Sequence, residues 1–133
     1  MNAAGHKQLV SRFFELFTES DIDGVLSLLD DDVRWRMMGQ QGGLPISGEM
    51  DKQGIKDLMI SVKELMVGQL MMTTKAWTID DNRVAVEVES LGELKNGKRY
   101  NNLYHYLIIV KDGRIETIKE YADTDQVRRV FFD

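Results

Sequence analysis

The chain has 133 residues, with 17 Lys and Arg against 22 Asp and Glu, a net charge of -5. That length suits one domain over residues 1–133, and 43% hydrophobic residues supply one ordinary core. The acidic balance, with no Lys/Arg-rich block, argues against nucleic acid and anionic membrane as partners.

Cysteine is absent, which removes disulfides, thiolate nucleophiles and Cys-type zinc sites and fits a cytoplasmic location. Lys7, Arg12 and Glu15 interrupt the apolar pattern of "MNAAGHKQLVSRFFELF", so it reads as an amphipathic helix rather than a signal peptide. No apolar run approaches the ~20 residues needed to span a bilayer.

Leu9, Val10, Phe13, Phe14, Leu16 and Phe17 recur at helical spacing and predict a first helix from about Ala4 to Glu19. Ser20 or Asp21 caps a short second helix carrying Ile22, Val25, Leu26, Leu28 and Leu29, which Asp30–Asp32 end. "VRWRM" alternates as a strand, and the glycine-rich "MGQQGGLPISGEM" follows as a loop or loose hairpin. Ile55, Leu58, Met59, Val62, Leu65 and Met66 form a third helical face. From Leu70 the period becomes two, with turns near Asp80–Asn82, at Asn96–Gly97 and at Asp112–Gly113. This is an antiparallel meander of about four strands, and "TDQVRRVFFD" adds a last helical turn. The order predicts an α+β fold: a curved, cone-shaped antiparallel sheet wrapped over about three N-terminal helices, its open end a natural pocket.

The helix pair ending "TESDIDGVLSLLDDDVRW", the meander "VEVESLGELKNGKRYNNLYHYLIIVKDGRIETIKEYADT" and the terminal "VRRVF" resemble the NTF2-like superfamily, in its SnoaL-like and ketosteroid-isomerase-like branch. The resemblance spans nearly the whole chain. It implies the cone fold and a range of activities: isomerases, cyclases, epoxide hydrolases, dehydratases, and members without chemistry. Fold alone does not choose among them. By resemblance to ketosteroid isomerases, the oxyanion tyrosine of the first helix corresponds to Phe13. Their general-base aspartate falls near Met37, and their second oxyanion donor falls on His105. By resemblance to limonene-epoxide-hydrolase-like members, "KEYAD" points to Glu120 and "VEVES" to Glu87 and Glu89, without the central arginine.

His105 shares a strand face with Asn101, Leu103 and Leu107; Tyr100, Asn102, Tyr104 and Tyr106 face the other way. His105, Asn101 and Glu120 are expected to face the cone, with His105 as acid/base beside Glu89 or Glu120. The alternatives are a half-buried structural histidine, a solvated Glu87/Glu89 face and a salt-bridged Glu120. Trp35, Met37, Met59, Trp77, Leu103 and His105 are expected to line one apolar cavity, although core filling is the favoured reading for most of the methionines and tryptophans. The tyrosines are expected on an outer face that pairs two copies through the sheet. No metal-ligand spacing and no phosphate loop occur, so neither metal nor cofactor is expected. The expected function is cofactor-independent proton transfer on a small hydrophobic carbonyl, enol or epoxide. The other reading is a non-catalytic ligand-binding or dimerisation domain.

Overall fold

The computed structural model describes residues 1–40 and 43–133; Gln41 and Gly42, in the loop expected after Met37, lie outside the described residues. Helix α1 spans Ala3–Thr18, and the Asn2 side chain accepts from the Gly5 N–H to cap it. Its buried face carries Val10, Phe13, Phe14, Leu16 and Phe17. His6 is buried too, its Nδ1 2.8 Å from the Asp81 carbonyl, tying the helix to a turn of the sheet. Helix α2, Ile22–Ser27, starts on an Asp21 cap. The acidic run expected to end it lies instead in the first strand, β1, Leu29–Met37. There Val33 and Trp35 are buried while Arg34 and Arg36 stay exposed.

A short strand β2, Gly48–Met50, pairs antiparallel with β1 and leads into helix α3, Lys52–Leu65. The Asp51 carboxylate accepts from the Gly54 N–H at 2.9 Å, pairing a donor that the first helical turn leaves free. Asp51→Ala is expected to cost ~1 kcal/mol of folding stability. Urea denaturation checks this, and an unchanged midpoint would show that the cap contributes nothing.

Strands β3 (Met66–Asp80), β4 (Arg83–Leu94), β5 (Arg99–Lys111) and β6 (Arg114–Ala122) form the meander. Asp112 (φ 50°) and Gly113 (φ 76°) turn the last hairpin, where two successive positive φ values match the twist of the flanking strands. The six-stranded sheet runs β2-β1-β6-β5-β4-β3. Its β1–β6 contact is parallel, with Trp35 beside Ile118 and Met37 beside Glu120. Register shifts in the β1–β6, β3–β4 and β5–β6 ladders bend and twist the strands, which curls the sheet around α1. Helix α4 (Thr124–Val127) and a π-turn (Arg128–Phe132) close the chain, with Phe131 edge-on to Tyr100.

The inner face carries Val84, Val86, Val88 and Ser90 from β4, and Tyr100, Asn102, Tyr104, Tyr106 and Ile108 from β5. The expected parity of β5 is therefore reversed. Asn101, Leu103 and His105 point outward, and the tyrosines point into the cone. A tyrosine buries 150–250 Å² and packs on both neighbours, which outweighs burying one histidine and one leucine.

Candidate active site

Glu120 lies on the inner face of β6, opposite Tyr106 on β5 and beside Met37 on β1. The residue keeps a partial opening to solvent, but its carboxyl is enclosed. The Tyr106 hydroxyl donates to Oε1 at 3.0 Å. Burial raises the carboxyl pKa from 4.5 to about 7, against the opposing pull of the Tyr106 hydroxyl and then of the Trp35 indole. The Trp35 N–H lies close enough to exert that pull yet completes no hydrogen bond. Its Nε1 is the one buried side-chain nitrogen or oxygen without a partner among the described residues. Phe13, Phe14 and Phe17 pack on the Trp35 and Tyr106 rings and hold both in place.

A second polar group adjoins the first. The Tyr104 ring stacks on Tyr106 at 5.3 Å, and its hydroxyl sits 2.7 Å from Tyr100 Oη and 3.0 Å from Ser90 Oγ. Asn102 Nδ2 donates to Tyr100 Oη at 2.9 Å. Asn102 is fixed in that sense because its Oδ1 accepts two backbone N–H groups, from Leu103 and Asp123. Burial pushes the pKa of Tyr100 up, and those of Tyr104 and Tyr106 well up, so all three keep their protons.

Of the residues singled out from sequence, the structure brings together Glu120, Phe13, Trp35 and Met37 on the inner side. Met59, on α3, is buried and Trp77, on β3, partly buried on the same core. His105, Glu87, Glu89, Asn101 and Leu103 lie on the opposite face, so Trp35 and His105 cannot line one cavity. Glu89 is held there by Asn101 Nδ2 at 2.9 Å and Lys75 Nζ at 3.0 Å, which lower its pKa, the Asn101 bond first. The missed residues are Tyr100, Tyr104, Tyr106, Ser90 and Asn102. The signal for them was present: Arg99 and Lys111 share the parity of His105 and mark it as the solvent side.

An open groove of about 380 Å³ lies between α3 and residues 45–50, with Met50, Leu58 and Ser61 in its walls. Met37 forms part of its lining and is the ladder neighbour of Glu120. Among the described residues, no three His, Asp or Glu side chains group as a metal site. No described helix is long and apolar enough to cross a membrane.

A family model described as a SnoaL-like domain matches residues 10–118. An NTF2-like protein of unknown function from Burkholderia pseudomallei superposes with TM-score 0.83 at 19% identity, covering 97% of this chain and 98% of that one. AusH from Aspergillus nidulans gives 0.79 at 19%, covering 92% and 86%. A Catenulispora acidiphila protein with a ketosteroid isomerase-like fold, solved with trimethylamine, gives 0.76 at 13%, covering 92% and 90%. At these identities the likeness is one of fold. No curated protein matches the sequence.

Proposed function

Because the chain belongs to the SnoaL-like domain family, whose members include isomerases and cyclases, we propose that it is a cofactor-independent enzyme in which Glu120 transfers a proton on a small hydrophobic carbonyl, enol or epoxide. The observation that carries this reading is the enclosed carboxyl beside Trp35 and Tyr106, with its pKa raised to about 7. A group titrating near neutrality exchanges a proton in either direction at low cost. Tyr106 orients the carboxyl, and the Phe13–Phe17 aromatic wall keeps water from it. The groove lined by Met37 is the approach. His105 and Glu89, facing away, take no part in the transfer. The test is a turnover screen of hydrophobic enones, polyketide-like ketones and epoxides, with wild type and Glu120→Gln side by side. Turnover that survives unchanged in Glu120→Gln refutes the assignment.

The pairing of two copies through the sheet is proposed on different residues from the tyrosines. Met71, Leu91, Leu103 and Tyr121 stand exposed on the outer face, Leu103 at 66%. Neighbouring exposed apolar side chains of this kind mark an interaction surface. Sedimentation velocity at micromolar concentration is expected to give a dimer, and Leu103→Asp a monomer. A monomeric wild type ends this proposal.

A further inference from the structure

Resting on that reading of Glu120 and deepening it, we infer that Trp35 is the positioning residue of the site: its indole N–H closes onto the Glu120 carboxyl when that group gives up its proton, and lets go when the proton returns. The β1–β6 ladder sets the geometry. Trp35 pairs with Ile118 and Met37 with Glu120, so Trp35 and Glu120 are diagonal neighbours on the inner face of the sheet. Diagonal neighbours lie within reach of an aromatic side chain. The Trp35 ring also stands edge-on to Tyr106 at 6.3 Å, and the Tyr106 hydroxyl already donates to Glu120 Oε1.

Trp35 is 2% exposed, and its N–H has no partner among the described residues. A buried donor without an acceptor costs stability. Phe13 and Phe17 pack on the ring and offer no acceptor. Glu120 does. An ionised carboxylate has about four lone-pair sites and no donor, and Tyr106 takes one of them. A protonated carboxyl turns one oxygen into a donor, which opposes the indole N–H. The protonated form therefore leaves Trp35 unmet, and the ionised form meets it with a charge-assisted bond, the stronger kind. No cation shares the inner face. The titratable side chains turned toward Glu120 are Tyr100, Tyr104 and Tyr106 of β5, and burial keeps all three protonated. The facing residues of α1, α3 and β4 are apolar: Phe13 and Phe14, Ile55 and Met59, Val86 and Val88. Glu49 and Asp57 line the groove that Met37 shares, and Lys119 and Tyr121 point outward. The indole keeps its own proton throughout; only its hydrogen bond is made or broken. That bond fixes the plane of the carboxylate before it acts as a base.

The chain has 2 tryptophans, so a nitrogen-15 spectrum shows one indole signal for each, and Trp77→Phe identifies that of Trp35. The Trp35 indole proton is expected to move downfield as the pH rises through about 7, the direction of a bond being made, and to stop titrating in Glu120→Gln. A signal that does not titrate in the wild type overturns the inference. So does a titration that persists in Glu120→Gln, which retains His6, His105, Glu49 and Asp57. A second experiment, in the Trp77→Phe background, replaces Trp35 by the tryptophan analogue with sulfur in place of the indole N–H. The analogue keeps the bicyclic shape and, unlike alanine, opens no space for water. The Glu120 midpoint, read from the carbon-13 signal of its carboxyl, is expected to rise by about one pH unit, a tenfold gain in proton affinity. A midpoint that stays or falls, in protein shown to be folded by circular dichroism, overturns the inference; if the analogue does not fold, the indole titration decides. Turnover separates the two claims. On any substrate the wild type converts, the acid limb of kcat/KM should move up with the Glu120 midpoint. Full turnover in Glu120→Gln refutes the role of Glu120 as proton carrier, and with the indole titration intact it leaves the contact with Trp35 standing.

Discussion

Glu120→Gln is expected to lower kcat by roughly 10²–10⁴-fold on any substrate the wild type turns over, the usual contribution of a positioned acid/base group. The same substitution is expected to change how stability depends on pH. The folded carboxyl has a pKa of about 7, raised from 4.5, so the folded state holds the proton more tightly than the unfolded chain does. The stability it contributes is fully present below about pH 4.5 and is lost as the pH rises through about 7. That displacement corresponds to a loss on the order of 3 kcal/mol. Glutamine accepts from Tyr106 and cannot ionise. The variant should therefore hold its stability across this window and exceed the wild type on the alkaline side. Glu89 and Asp125, whose pKa values are lowered, titrate below the window and leave it clear. Denaturant midpoints at about pH 5 and about pH 8 check the prediction. A wild type no less stable at the higher pH would show that the carboxyl is well solvated, and the case for it as the proton carrier would go with it.

Trp35→Ala is expected to cost ~3–5 kcal/mol, the range for deleting a large aromatic side chain from a packed core. Trp35 is 2% exposed, with ring centroids 5.8 Å from Phe13, 6.0 Å from Phe17 and 6.3 Å from Tyr106. Those partners sit on α1 and β5, so no single shift closes the space. The vacated volume borders a carboxyl and a hydroxyl, and polar cavities take up water. Hydration relieves the burial that raises the Glu120 pKa, so the pKa should fall back toward 4.5. The variant should thus be less stable overall, yet lose less stability than the wild type between acid and alkaline pH. Urea unfolding at the two pH values reads both effects. A total loss below ~1 kcal/mol would mean that the core collapses around the missing ring.

The fold was legible because each local signal agreed with its neighbours. The heptad-like run Val10, Phe13, Phe14, Phe17 admits only a helix, and Asp112–Gly113 admits only a tight hairpin. The short β2 and the parallel β1–β6 pairing were not legible, since three residues carry no period and pairing between distant strands leaves no local mark. The site was half legible. "KEYAD" singled out Glu120 through a family resemblance, but β5 has polar side chains on both faces. One-residue parity then decides everything about a strand. Leu103 and Leu107 drew the inner face toward His105, whereas the charged ends Arg99 and Lys111 identify that row as the outer one. Hydroxyls that satisfy one another, as those of Tyr100, Tyr104 and Ser90 do, allow three polar side chains to lie in a core that hydropathy alone would deny them.

The parallel seating of β1 against β6 also constrains how the molecule is made. Trp35 meets Ile118 and Met37 meets Glu120 only after the chain between them has been laid down and turned back through three hairpins. During synthesis β1 therefore waits, covered by the first helix, β2 and α3 but with its β6 edge unpaired, until the last strand leaves the ribosome. Closing so long a loop before any reward from strand pairing slows folding relative to a helical bundle of this size. The acid of the site arrives on that final strand, so the proton-transfer apparatus is assembled in the step that completes the sheet.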